Sequence, residues 1–222
     1  ATGVYDRVCR VDLEDGASDS VLDGLGGFDV IVCGDVLEHL RDPPGVLRRL
    51  LRRLRSGGQV LVSLPNIAHA SVKLDLLDDR FAYTERGLMD RTHLKFFTWR
   101  SIAELLDTVG LQVREVRTTT SPRRRVVGSA AFRRLPASVS EVVIGDPHSF
   151  VNQYVVNCIV GEGGDGPSNK QMLGNACGSG VESIPIHPLV RLASAIIPVR
   201  DWRRRFRERW HLRLNRGGRP VP

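Results

Sequence analysis

The chain has 222 residues, 41% of them hydrophobic and 26% charged, which is enough to bury one full core and excludes a fibrous or disordered polymer. Its formal charge of +7 is concentrated at one end: residues 200–222 hold nine Arg against Asp201 and Glu208. Residues 1–199 therefore sum to zero and carry no net excess to draw a polyanion. No apolar run approaches the roughly 18 residues that span a bilayer, and no signal-peptide pattern opens the chain.

In chain order, Tyr5–Leu13 reads as a strand ending in the acidic turn DLEDG, and Phe28–Cys33 as a short strand buried on both faces between Gly27 and Gly34. A helix is expected next. Asp42 can cap it, Pro43 suits its first position, Val46, Leu47, Leu50, Leu51 and Leu54 form one stripe, and Gly57-Gly58 would stop it. Gln59–Leu64 is again a buried-type strand, closed by Pro65, so residues 28–64 predict a parallel βαβ unit. After a short helix at Ser71–Asp78, a polar loop runs to residue 96 and is expected to act as a lid. Thr98 caps a helix carrying Ile102, Leu105, Leu106 and Val109, ended by Gly110, and Leu111–Val116 is the following strand. Residues 118–149 look irregular, Phe150–Val160 is the last strand, and Gly161–Gly180 reads as a linker. The expected domains are residues 1–160, a linker 161–183 and a basic tail 184–222. Cys9, Cys33, Cys158 and Cys177 lie far apart without a CxxC pair and read as reduced core cysteines of a cytosolic protein.

GDVLEHL (34–40), the SGG turn (56–58), VLVSLPN (60–66) and DRTHLKFFTWRSIAELLDTVGL (90–111) occur in an order that resembles bacterial class I methyltransferases of the small-molecule and glycan type. The resemblance covers roughly residues 1–117. It implies an α/β fold: a partial Rossmann-like sheet of parallel strands with an antiparallel C-terminal strand, using S-adenosyl-L-methionine as cofactor. It implies that Asp12 accepts from the adenine amino group, that the Leu13 amide faces the ring, and that Gly34, Asp35 and Leu37 line the methionine end. Asn66 would then face the substrate, as would Tyr83 and Arg91 from the loop. Nothing before Tyr5 supplies the family's glycine loop, so a truncated chain that binds the cofactor weakly or not at all is expected.

Methyl transfer to a hydroxyl needs a base as well as positioning. His93 is the first candidate, in a polar loop beside Phe96-Phe97, with an unperturbed pKa of about 6.5. It could equally pin the loop to a backbone carbonyl. His39 is a second catalytic candidate with a competing structural role before the Asp42 cap. Asp35 could orient cofactor or substrate, or merely satisfy nearby N–H groups. Asp12 has the competing reading of a turn residue. A literal GxGxxG at Gly161, Gly163 and Gly166 is rejected as a phosphate loop because Glu162 and Asp165 would repel the ligand. No metal-ligand spacing is visible, so no metal is expected.

In the tail, Trp202, Phe206 and Trp210 recur every four residues among arginines. A helix over 201–216 would suit an anionic membrane surface at the inner face of the membrane, or an adjacent domain. Two functions follow: an O-methyltransferase of a sugar or small hydroxylated metabolite, as in polysaccharide biosynthesis, or a non-catalytic scaffold in a glycan-assembly protein. Nucleic-acid binding ranks last.

Overall fold

The computed structural model describes residues 7–161, 167–176, 194–195 and 211–214. β1 (Arg7–Arg10) is followed by α1 (Ser18–Asp23) and β2 (Phe28–Gly34), and α2 (Pro43–Leu51) crosses over to β3 (Leu54–Pro65). β2 and β3 pair in parallel from Val30↔Gln59 to Gly34↔Ser63, the βαβ unit that the apolar runs predict. β5 (Val151–Val160) lies antiparallel between β3 and β4 (Leu111–Thr120). With β6 (Ser194–Ala195) and β7 (His211–Leu214) the sheet order is β1-β7-β6-β2-β3-β5-β4. β6 runs parallel to β2, and β7 antiparallel to both β6 and β1, so β1 points the same way as β2 and β3. The fold is thus α/β, with parallel strands and an antiparallel strand late in the chain. The C-terminal ends of β1, β2, β3 and β4 share one rim, and Asp12, Asp35 and Asn66 each follow one of those ends.

Local chemistry explains the elements. The Asp42 side chain accepts from the Gly45 amide at 3.0 Å with Pro43 at the first helical position, and the stripe Val46, Leu47, Leu50 is buried against the sheet. The helix stops at Leu51, earlier than the stripe suggests, because the Arg53 amide already turns back onto the Leu50 carbonyl. Leu54 and the Gly57-Gly58 pair therefore belong to β3. There the register jumps from Phe28↔Leu54 to Val30↔Gln59, and Gly57 adopts φ +73°, so the glycines serve a bulge and not a helix stop. α4 (Trp99–Thr108) has the capping box of Thr98 and Ser101 and ends at Gly110, with φ +73°. Cys33 and Cys158 are free and buried in this core, where burial pushes both thiols up to about 12.

Residues 118–149 are not irregular. After β4 the chain forms α5 (Arg123–Val127), α6 (Ala130–Arg133), α7 (Ala137–Gly145) and a 3-10 turn at Pro147–Phe150. With α3 (Ala70–Leu77) they enclose a second apolar cluster of Ala70, Leu74, Val126, Phe132 and Val143. This cap connects the rim end of β4 to the start of β5. Within the expected linker, Ser168 and Gln171 make a capping box for α8 (Asn169–Gly174). Asn169 bonds the edge strand through the Val113 amide and the Leu111 carbonyl, each at 2.7 Å. A short helix therefore opens inside the stretch expected to be a linker. The rest of the linker and most of the tail lie outside the described residues. In the tail, 211–214 form β7, so the helix expected over 201–216 does not include them. Among the described residues no helix is long and apolar enough to cross a membrane.

Candidate functional site

A pocket of about 260 Å³ opens at the rim where β2 and β3 end. It is lined by Asp35, Glu38, His39 and Pro65, by Leu88, Asp90, Thr92 and His93 from the loop, and by Asn152 and Gln153 of β5. Two segments some fifty residues apart build its wall, and hydrogen bonds tie them together. The carbonyl of Glu38 accepts from the amides of Leu94 and Lys95 at 2.8 and 2.9 Å, and His39 Nδ1 meets the Thr92 carbonyl at 2.9 Å.

Both histidines have their tautomer set by the backbone. His39 Nδ1 faces the Thr92 carbonyl and His93 Nδ1 faces the Leu88 carbonyl at 3.2 Å, so Nδ1 donates in each ring and Nε2 is the basic nitrogen. The rings meet edge to face with centroids 4.8 Å apart. Glu38 is 1% exposed, and its Oε2 has no hydrogen-bond partner. Burial, joined by the nearby charges of Asp35 and Asp90, pushes its carboxyl well above the usual range. Asp90 is also buried, which opposes ionisation. Hydrogen bonds from the Thr92 amide and hydroxyl, with the two histidines nearby, outweigh this and hold its carboxyl below the usual range. One ligand atom from each of Glu38, His39 and His93 lies within 4.8 Å of the others, a grouping suited to a metal ion. No metal-ligand spacing announces this grouping in the sequence, because it forms only when the fold brings Glu38 and His39 to His93.

Asp35 follows β2 with φ 51°, a left-handed conformation uncommon for a residue with a side chain. Its carboxylate accepts from Ser63 Oγ at 2.7 Å and from the Gln153 amide. Ser63, Asn152 and Gln153 were invisible as site residues in the sequence. Gln153 reaches Asp35 only because β5 arrives antiparallel beside β3, pairing Gln153 with Pro65.

The other expected residues are distributed unevenly. Asp12 is exposed, and its carboxylate accepts from the Glu14 amide at 2.9 Å, a turn contact. Leu13 and Leu37 send their side chains into the core. The Arg49 guanidinium holds the loop after β1, donating to the Leu13 and Asp15 carbonyls, Ser18 Oγ and Asp19. Gly34 ends β2, and a Cβ there would meet nothing within 4 Å. Asn66 is fully buried. Its amide donates to the His148 and Val151 carbonyls at 3.0 and 2.9 Å and its oxygen accepts from the Ala68 amide at 3.1 Å, so it ties β3 to the cap and not to the pocket. Tyr83 is half exposed and packs between Phe81 and Phe96, while Arg91 is paired with Glu85; neither lines the pocket.

This pocket of carboxyl groups and histidines lies at the C-terminal rim of parallel strands, where open α/β folds generally place their ligand crevices. Residues 4–116 match the family described as "Methyltransferase domain", and the chain belongs to that family. It is similar to the ubiquinone biosynthesis O-methyltransferase of Aeromonas salmonicida, 28% identical over 89 residues, 40% of this chain and 37% of that protein. It is also similar to the enzyme of that name from Xanthomonas axonopodis pv. citri, 30% identical over 100 residues, 44% of this chain and 41% of that one. The matched region thus spans about two-fifths of the length of these curated relatives. Among solved structures, the O-methyltransferase of a Brevibacillus brevis trans-AT PKS multienzyme, in complex with S-adenosyl-L-homocysteine, is 15% identical with a TM-score of 0.37. That match covers 67% of this chain and 48% of that one.

Proposed function

We propose that this domain carries the acceptor side of an S-adenosylmethionine-dependent O-methyltransferase for a small hydroxylated molecule. The observation that carries the reading is the pocket wall of Asp35, Glu38, His39, Asp90 and His93 in a domain of the methyltransferase family. The donor set suits the cofactor: Asp35 and Asp90 along one wall favour a sulfonium cation, while burial holds Glu38 toward its neutral form. Asp12 and the Leu13 amide would hold the adenine, and Gly34, Asp35 and the Leu37 backbone the methionine end. When bound, S-adenosylmethionine supplies an electrophilic methyl group.

The residues of the chain do the rest. Nε2 of His93 would take the proton of the acceptor hydroxyl, readying its oxygen for the methyl group that the cofactor would supply. His39 supports the imidazolium edge-on, and Asp90 beside both rings stabilises its charge. Asp35, locked by Ser63 and Gln153, orients the reacting groups, and Asn152 and Gln153 contact the acceptor where Asn66, Tyr83 and Arg91 were expected to. General-base help of this kind is worth about 10²–10⁴-fold. Relatives named as O-methyltransferases of ubiquinone biosynthesis support oxygen as the acceptor atom, and they lend no support to a glycan.

The test is an amide-resolved NMR titration with S-adenosylhomocysteine, which reads weak binding as well as tight. The expected result is shifts confined to Leu13, Gly34, Asp35, Leu37 and their neighbours. Shifts elsewhere on the sheet, or none at saturating ligand, would overturn the assignment.

A further inference from the structure

The body of the chain is neutral in sum but its charge is segregated. Residues 117–140 contain six arginines and no carboxylate. Arg117 is paired with Glu115 on β4. The other five stand exposed, Arg123, Arg124 and Arg125 on α5, Arg133 on α6 and Arg134 just after it. Arg133 donates to the Gly128 carbonyl, and the Arg123 guanidinium lies over the Phe150 ring. Among the described residues none of the five meets a carboxylate. Five uncompensated guanidinium groups on one small cap raise its free energy by mutual repulsion, so the arrangement is best satisfied by an anionic surface.

We propose that this cap face docks on an anionic lipid bilayer. Apolar side chains on the same subdomain favour lipid over other polyanions. Val142 on α7 is 72% exposed, and Leu77, one turn beyond the buried Leu74 of α3, is 55% exposed. A subdomain that exposes both arginines and aliphatic groups matches the headgroup–acyl boundary, where charge attraction and apolar burial add. Single-stranded nucleic acid would want exposed aromatic platforms. On α5, α6 and α7 the only aromatic is Phe132, which is buried, and Phe150 just beyond lies beneath Arg123. The cap rises from the rim that carries the pocket, so docking would turn that rim toward the lipid.

The experiment is vesicle co-sedimentation of the full chain, with phosphatidylcholine alone and with phosphatidylcholine containing phosphatidylglycerol. One variant replaces Arg123, Arg124, Arg125, Arg133 and Arg134 with Gln; a charge-matched control replaces Arg203, Arg204, Arg205, Arg207 and Arg209. The proposal expects binding to the anionic vesicles only, at least about a hundredfold loss in the cap variant, and less than about tenfold loss in the tail control. If the five-site variant misfolds by circular dichroism, the triple change at Arg124, Arg125 and Arg134 replaces it. The side chains of those three make no hydrogen bond or ion pair among the described residues. Undiminished binding of the cap variant, equal losses in cap and tail variants, or equal binding to neutral vesicles would overturn the proposal. So would tighter capture of polyuridylic acid than of vesicles in the same salt, released by the cap variant.

Discussion

Asn66→Ala separates a structural from a ligand-binding role at a position that the sequence places at the mouth of the site. The amide makes three hydrogen bonds: to the His148 and Val151 carbonyls and from the Ala68 amide. Each is worth about 1 kcal/mol net, and although the His148 carbonyl still accepts from the Val151 amide, the other two buried partners lose these bonds, so truncation costs roughly 3–4 kcal/mol. Against a typical stability of about 5–15 kcal/mol that is a large fraction. For a chain of this size it lowers the midpoint of thermal unfolding by about 6–15 °C. Asn66→Asp is the sharper variant. It keeps the shape but turns both donors into acceptors facing two carbonyls, so the new carboxyl must hold a proton to remain folded. Its stability should therefore fall as pH rises, whereas that of Asn66→Ala should not. Denaturant unfolding followed by circular dichroism at pH 5 and pH 8 gives both quantities. A cost below about 1 kcal/mol for Asn66→Ala, together with loss of the ligand-induced amide shifts at Asp35, would refute the structural role.

His93→Ala should lower methyl transfer from labelled S-adenosylmethionine to a hydroxylated probe such as 3,4-dihydroxybenzoate by about 10²-fold or more, with the shifts at Leu13 and Gly34 retained; an unchanged rate would remove His93 as the base. Glu38 binds its proton more tightly folded than unfolded, so its contribution to stability is complete below the unfolded glutamate value and is lost as pH rises through the raised folded one. Glu38→Gln stays neutral throughout. Its advantage over the parent should therefore appear as pH rises, growing by about 1.4 kcal/mol per pH unit between the two values; an advantage confined to acid pH would contradict the buried-carboxyl account.

The framework was legible wherever a regular period met a chemical stop. Phe28–Gly34 and the second half of β3 carried short, mostly apolar runs, and α2 and α4 carried both a capping side chain and a stripe. The cap helices escaped because α5 and α6 have five and four residues, too few for a helical period to develop, and gain their stability from the shared cluster around Phe132. Asn66 was correctly placed at a strand end but given the wrong partners. Which way its side chain turns is decided by the His148 and Val151 carbonyls, brought in by a strand more than eighty residues later. His39 and His93 were readable as titratable residues, but their common tautomer was not, since backbone carbonyls of any residue type can set it.

The same backbone bonds limit how far the loop after α3 can act as a lid. For residues 88–95 to lift away, the Glu38 carbonyl would have to release the Leu94 and Lys95 amides and His39 would have to release Thr92, dismantling the pocket wall in the act of opening it. Residues 80–87 are differently held. They are exposed, and the bends at Asp79 (φ 53°) and Gly87 (φ 97°) bracket them. Phe81 and Tyr83 pack on each other and toward Phe96, whose ring lies 6.1 Å from that of His93. Closure confined to this short segment can bring an apolar wall over the acceptor and exclude water without disturbing the base. Fast amide exchange across 81–87, except at Thr84, whose amide donates to the Met89 carbonyl at 2.8 Å, together with slow exchange at Leu94 and Lys95 is the pattern this division requires, and uniform protection across 81–95 would exclude it.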